Sequence, residues 1–511
     1  LESVVLSPVL VVSSLLVAAA ATLTPLIAAG AQASAAPAPE PNRFTRTVLV
    51  DGLDEPMQLE FDRAGRVYFI ERKGAVKRFD ESTGSASVLG RIPVAVVGEA
   101  GLVGILLDRD FERTRQLYLY FSSDSTEMRL SRFTLDARDS IDARSEVVLM
   151  RWGFEVASHV GGGMAWDANG NMYLSTGDNS EATQYSPVHW TNPGGKGQDA
   201  QRTSGNSNDL RGKILRIHPE PDGSYTIPAG NLFPLGTAST RPEIYTMGNR
   251  NPWRIAVDSK TGFLHWGEIG PDAGRDSAGI GPMGYDELNV ATSAGNYGWP
   301  FFIGYNRGYN SVEYGATKRF GPPMDPASSV NRSPNNSGIQ LLPPARPPLV
   351  AYPYGVSPEW PELASGGRCA VGGPIFRASN FTGARRFPDY YEGRWFVVDF
   401  VRTWIMVATM NDDRTKVLSM ERFLPDEKYT SPLDMDFGPT GDLYLVEYSS
   451  APGGRLSKIQ YNAGNRAPRV VASADRTAGA TPLRVALSPR GTVDHDGDAL
   501  RYRWTVTAQG G

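Results

Sequence analysis

The sequence predicts an all-β chain, a six-bladed β-propeller followed by a partial β-sandwich of PKD or Ig-like type. The first observation is a pattern that returns six times: an apolar strand, a turn rich in Asp, Gly and Asn, and a second apolar strand carrying aromatics. A unit that cannot bury both its faces alone argues for a closed ring, where neighbouring small sheets share one core. The second is a change of texture after Asn465, to alternating apolar residues with frequent turns and no helical period. The third is bulk: 511 residues, 41% hydrophobic and 10% aromatic, suffice for more than one packed domain.

In chain order, residues 5–36 form an apolar run that passes into small residues, with Ala31-Gln32-Ala33 or Ala33-Ser34-Ala35 as cleavage sites. Residues 1–35 are therefore expected to be an export signal, giving a secreted, periplasmic or cell-surface protein. A retained membrane anchor is the alternative, because the run is long enough for a bilayer of about 30 Å. The Pro-rich 36–42 segment reads as a linker. The repeats fill 43–463, and function is expected in the loops at one mouth of the ring. Two insertions, 179–210 and 300–347, are expected to wall that mouth.

Residues 465–511 carry Asp494, Asp496, Gly497, Asp498, Leu500, Tyr502 and Trp504, which resemble a typical PKD stretch and cover about half of such a module. The three aspartates suit a tight turn better than a calcium loop, because Gly497 is misplaced for an EF-hand and no Glu occupies the twelfth position. Through this module a surface or polysaccharide contact is expected.

A net charge of −4 gives no basic face for nucleic acid, and that partner class is excluded. The single cysteine, Cys369, excludes an internal disulfide and Cys-x-x-Cys metal or haem attachment, and reads as a small buried hydrophobe. No G-x-S-x-G elbow, Walker loop or G-x-G-x-x-G opening a helix occurs, which speaks against nucleotide and nicotinamide chemistry.

Hairpin geometry gathers candidate chemistry. In the third repeat, counting outward from the Asn169-Gly170 turn sets His159 nearly opposite Asp178. Cross-strand partners lie about 4.5–5.5 Å apart at Cβ, so the carboxylate can orient the imidazole as a general base. In the fourth repeat the same count pairs Arg250 with Gly270, bringing Asn251 and the carbonyls of Gly270 and Pro271 to the same end. The bland readings are a structural histidine at a strand start and a buried ion-pair arginine. His189, His218 and His265 have no such partner and are assigned to loops or surface; Tyr68, Tyr118, Tyr173 and Tyr444 are assigned to blade packing.

The segments GEAGLVGILLDRDF (98–111), His159 with STGD (175–178), GNRNPWRIAVD (248–258), GEIGPD (267–272) and DELNVATSAGNYGWP (286–300) stand in order along the repeat region. Over about 45–463 the chain resembles the soluble quinoprotein glucose/sorbosone dehydrogenases, six-bladed propellers that oxidise sugars with pyrroloquinoline quinone (PQQ) and calcium. The resemblance implies His159 as base, Asp178 as its orienting partner, Arg250 as the stabiliser of charge on the reduced cofactor, and Asn251 as a quinone contact. It implies calcium at the carbonyls of Gly270 and Pro271, a second calcium at Glu287 and the carbonyl of Tyr297, a small sugar substrate and an external electron acceptor.

The chain also departs from that pattern. Val401 stands where the family has a lysine clamp, Ser431 and Leu433 replace two arginines, and Ile269 replaces a glutamine; Arg402 or Lys428 is the substitute cofactor clamp. Two other functions stay open: a non-catalytic, calcium-stabilised propeller that binds carbohydrate or protein, and a calcium-dependent lactone hydrolase.

Overall fold

The computed structural model describes residues 37–180, 199–313, 319–381, 383, 385–466 and 468–505. Six antiparallel sheets form the ring. The first blade is Pro56–Phe61, Val67–Glu71, Ala75–Asp80 and Ser85–Arg91, and the second Leu102–Leu107, Gln116–Asp124, Glu127–Leu135 and Ile141–Gly153. The third is Gly161–Trp166, Met172–Thr176, Lys213–Pro219 and Ile244–Met247, with Gly295–Asn296 added in parallel at its edge. The fourth is Pro252–Val257, Leu264–Glu268, Asp286–Ala291 and Val350–Tyr352, and the fifth Ala370–Val371, Trp395–Asp399, Trp404–Met410 and Val417–Arg422. The sixth joins Pro432–Phe437, Leu443–Glu447 and Gly454–Tyr461 to Phe44–Leu53 from the other end of the ring sequence.

That last pairing closes the ring. Phe44 faces Tyr461 in register, and its ring packs edge-on against Phe387 and Phe423 of the fifth blade. This pairing ties the two ends of the ring sequence into one sheet and leaves the blades only short, protected edges.

The turns form for the reason their sequences give. Asp167 accepts the N–H groups of Asn169 and Asn171, and Gly170, at φ +83°, takes a conformation open to a residue without Cβ. Tyr68, Tyr118, Tyr173 and Tyr444 are all buried, as expected of blade-packing aromatics. His265 is not at the surface: it is buried on the second strand of the fourth blade, its ring 5.2 Å from that of Trp395 in the fifth. The fifth repeat, whose sequence pattern opens at Pro374, begins earlier: its inner strand is Ala370–Val371, and Ile375 makes only an isolated bridge to Trp395.

The innermost strands share one irregularity. In the first, second, third, fourth and sixth blades the pairing of inner and second strands slips once near the start of the inner strand. Such bulges re-aim the residues before them, and in this ring those residues build the site.

The described parts of the two insertions interlock. Asn331 Nδ2 donates to the carbonyls of Gln201 and Gly205, and Asp199 accepts from Ser333 Oγ and Asn335 Nδ2. Residues 181–198, including His189, lie outside the described residues. After the ring, the only paired strands among the described residues are Ser473–Ala474 and Leu487–Ser488. Asp494 Oδ1 accepts the N–H groups of Asp496 and Asp498, a tight turn, while Asp496 pairs with Arg466 and Arg43. No helix among the described residues is long and apolar enough to cross a membrane. The 1–35 segment lies outside the described residues.

Candidate active site

His159 stands two residues before the inner strand of the third blade, which begins at Gly161. The bulge between Gly161 and Met164 slips the pairing by one residue near this end, where the His159 carbonyl accepts the Asn179 N–H at 3.3 Å and the His159 side chain meets that of Asp178. His159 Nδ1 lies 2.8 Å from Asp178 Oδ1, and both side chains are buried. Since Asp178 accepts at Nδ1, the ring's other nitrogen, Nε2, is the one left to act on a substrate proton. His159 holds φ +51°, and strain of this kind is concentrated at functional sites. Its backbone N–H is fixed by Glu99 Oε2 at 2.7 Å.

Asp178 is fully occupied. Oδ2 accepts the indole N–H of Trp299 at 2.7 Å and the Ser180 hydroxyl at 2.9 Å, and Oδ1 accepts the Ser180 N–H at 2.9 Å. Burial alone would raise its pKa, but His159, Arg250 and the Ser180 N–H more than reverse this and hold it below the ordinary carboxylate value.

The fourth blade supplies the cation. The carbonyl of Arg250 accepts the N–H of Asp178 at 2.8 Å, tying the two strand ends together. Its guanidinium lies 5.8 Å from the Trp299 ring centroid and donates to the Ile269 carbonyl at 3.0 Å. Asn251 Oδ1 accepts the N–H of Gly161 at 3.0 Å, so this side chain also bridges the third and fourth blades.

Behind these residues sit two buried carboxylates on directly paired strand positions, Glu268 and Glu287. Glu268 accepts the N–H groups of Arg250 and Asn251 at 2.7 and 2.6 Å, and Glu287 accepts that of Gly304 at 2.7 Å. Burial pushes Glu287 up to about 8; burial, then Glu287, raises Glu268 well above the usual range. Asn289 Oδ1, beside them, is buried without a partner.

A cavity of about 340 Å³ opens at the mouth, its wall including Arg72, Trp253, Arg368, Phe400, Leu433 and Tyr448. Leu433 thus reaches the mouth where the sequence lacks an arginine clamp. Arg402 does not serve as the substitute. Its guanidinium is engaged by the carbonyls of Pro353, Leu363, Ala364, Gly366 and Gly367 and lies 4.9 Å from the Tyr352 ring centroid, so every donor is already committed. Lys428 is exposed. Cys369 is half-buried in the cavity wall rather than in the core.

Gly270 and Pro271 lie where the hairpin count set them, and the Gly270 N–H reaches Asp286 Oδ1 at 3.0 Å. The Pro271 carbonyl is taken by Arg368 Nη2, whose Nη1 pairs with Asp286. Trp299, Glu99, Glu268 and Arg368 were not singled out by sequence. The first three stand inside the quoted segments; Arg368 had no signal beyond its place beside Cys369.

A six-bladed ring that sets an Asp-oriented histidine and a guanidinium beside a cavity with an aromatic wall, bonded to Glu99 and Ile269 of that wall, is the scaffold of a propeller enzyme. The family profile described as Glucose / Sorbosone dehydrogenase matches residues 53–347, and the chain belongs to that family. It is 25% identical over 446 residues to Aldose sugar dehydrogenase YliI of Escherichia coli (strain K12), covering 86% of this chain and 97% of that one. Over 288 residues it is 27% identical to Quinoprotein glucose dehydrogenase B of Acinetobacter calcoaceticus, covering 53% and 56% of the two chains. The fold matches the PQQ-bound aldose sugar dehydrogenase of Streptomyces coelicolor with a TM-score of 0.54 at 20% identity, over 82% of this chain and 98% of that one.

Proposed function

We propose that the chain is a quinone-dependent sugar dehydrogenase that oxidises an aldose or related sugar hydroxyl with PQQ. The observation that carries this is the buried His159–Asp178 pair, braced by Trp299 and the Arg250 carbonyl at the edge of the mouth. The residues fit the cofactor. PQQ is a flat tricarboxylate, and the cavity offers aromatic faces from Trp253, Phe400 and Tyr448 and the guanidinium of Arg368; Arg72, also in the wall, is engaged by both oxygens of Glu55 and by the carbonyls of Gly98 and Ala100.

When bound, PQQ supplies a two-electron hydride acceptor. His159 Nε2 would take the proton from the sugar hydroxyl as the carbon bearing that hydroxyl gives up its hydride, so that this carbon becomes a carbonyl, a lactone in the case of an aldose at C1; an external acceptor would be needed for the two electrons. Asp178 stabilises the imidazolium as it forms, and Arg250 offsets negative charge that develops beside it. Asn251 orients the strand end from which both blades meet the cofactor.

Calcium fits at Glu287. Among the described residues these two buried carboxylates have no lysine or arginine ion pair; their oxygens accept only backbone N–H groups, the Trp266 indole N–H and Asn289 Nδ2, and beside the unpartnered Asn289 Oδ1 they make an oxygen donor set short of positive charge. Calcium should therefore raise the thermal unfolding midpoint of the wild-type chain and leave Glu287→Gln unmoved. An equal rise in both would remove the assignment. At Gly270 and Pro271 the donor set does not fit a divalent ion, because a guanidinium already occupies the Pro271 carbonyl.

The apolar 5–36 run supports export, the 36–42 segment a linker and residues from 465 a separate surface-contacting module. The deciding experiment is reconstitution of purified protein with PQQ and calcium, followed by dye reduction with a panel of aldoses. Cofactor uptake with sugar-dependent dye reduction is expected. Failure to take up PQQ would favour the alternative, a non-catalytic binding propeller; the commitment of Arg402 to backbone carbonyls is the observation on that side.

A further inference from the structure

Arg368 stands at the end of the loop that leads into the inner strand of the fifth blade, with its side chain 1% exposed. Nη1 pairs with Asp286 and Nη2 donates to the Pro271 carbonyl; the Tyr354 ring lies 4.3 Å from its Cζ. Its Nε is buried without a partner, and the residue forms part of the mouth cavity's wall.

The seat for this guanidinium is built into the backbone. A Cβ on Gly284 would lie 1.7 Å from the Pro271 carbonyl oxygen and 2.4 Å from Arg368 Nη2, so only glycine leaves the space. Both Asp286 oxygens are engaged: Oδ1 accepts from Gly270 N–H and Arg368, and Oδ2 accepts the Ala370 N–H at 2.8 Å. A calcium ion bound to the Pro271 carbonyl would need a separation of about 2.3–2.6 Å, in space the guanidinium fills, and would face its positive charge.

We propose that the cation held against the Gly270–Pro271 turn in this chain is the guanidinium of Arg368, so that cofactor uptake at this mouth needs no divalent ion. The inference rests on the PQQ reading for the identity of the ligand. Its content is narrower: one side chain supplies, in a permanently charged form, the positive charge otherwise drawn from a metal. Arginine suits the task, since it stays protonated at any working pH and its planar fork can hold Asp286 and a carbonyl at once. The unpartnered Nε then remains for an oxygen of the bound cofactor.

The test uses the full chain after EDTA dialysis, in a Glu287→Gln background that removes the carboxylate site. PQQ uptake is followed by the shift in thermal unfolding midpoint, with EDTA or with excess calcium. Uptake is expected to be the same within about threefold in both conditions, to survive in Arg368→Lys, and to weaken about 100-fold in EDTA for Arg368→Thr. Uptake by the Arg368-containing chain that requires calcium would overturn the proposal, as would undiminished uptake by Arg368→Thr in EDTA.

Equilibrium dialysis of calcium against the PQQ-free chain gives an arm independent of the cofactor and of whether Arg368→Thr folds. Glu287→Gln with Arg368 intact should bind no calcium, and a bound ion displaced by PQQ would overturn the proposal. Absence of PQQ uptake in every variant and condition would instead remove the quinone reading, with the dialysis arm still deciding what occupies the turn.

Discussion

Replacing His159 by Gln is expected to lower turnover by about 10²–10⁴ while leaving PQQ uptake intact, the range that a positioned general base contributes. Glutamine fills similar space and can still donate an N–H to Asp178, but its amide has no lone pair basic enough to accept the sugar proton near neutral pH. The loss should appear in kcat. Hydride cannot leave a carbon whose hydroxyl proton has nowhere to go, whereas the aromatic wall, Arg250 and Arg368 stay in place. Two measurements on the same preparation decide it: cofactor content from the absorbance of the loaded protein, and steady-state dye reduction at saturating sugar. Near-full turnover at full loading would remove His159 from the base role. Loss of loading would show instead that the side chain holds the cavity open.

The sequence carried the ring and half of the site for one reason. Hairpins are local, and a turn such as Asp167–Asn171 fixes which residues of two adjoining strands face each other. His159 and Asp178 belong to one hairpin, as do Arg250 and Gly270, so counting from the turns placed both pairs. The bulge between Gly161 and Met164 slips the strand pairing by one residue just before that end, and the His159 ring still meets the Asp178 carboxylate.

What counting could not reach is what other blades and insertions bring. Trp299 comes from 121 residues away to hold Asp178, and Arg368 comes from 82 residues away to pair with Asp286. Arg402 looked available because it follows the position of the missing lysine, yet the loop of residues 353–367 folds over it and engages its donors. His265 lacked a sequence partner and was assigned to the surface. The fifth blade's Trp395, remote in sequence, is what covers it.

The same long-range logic predicts where the ring is most easily opened. Arg377, just beyond the inner strand of the fifth blade, reaches into the hairpin turn of the fourth, where Nε and Nη2 bond Asp258 Oδ1 and Oδ2 at 2.7 and 2.5 Å. Both side chains are almost wholly buried, at 2% and 0% exposure. A bidentate pair out of water contributes little net stability when intact, but removing one member strands the other. Arg377→Met should therefore cost about 3–5 kcal/mol in urea unfolding. Asp258→Asn with Arg377→Met should recover part of it, because no buried charge is then left uncompensated.

The contribution of this pair depends on pH. Burial would raise the Asp258 pKa, but the hydrogen bonds from Arg377, Thr261 and the Lys260 N–H outweigh it, and the carboxyl is held well below its ordinary value of 3.8. A lowered folded pKa means a stabilising contribution that is complete above the unfolded pKa and is lost as pH falls through the folded one. In Arg377→Met the carboxylate lacks its counter-charge and protonates more readily, so the gap between wild type and variant should be widest near neutral pH, narrow as the variant's carboxyl takes up its proton, and close only as pH falls through the wild-type folded value of about 2. A gap of less than about 1 kcal/mol at neutral pH, or one unchanged on acidification, would mean that apolar packing between the two blades, rather than this ion pair, holds the fourth blade to the fifth.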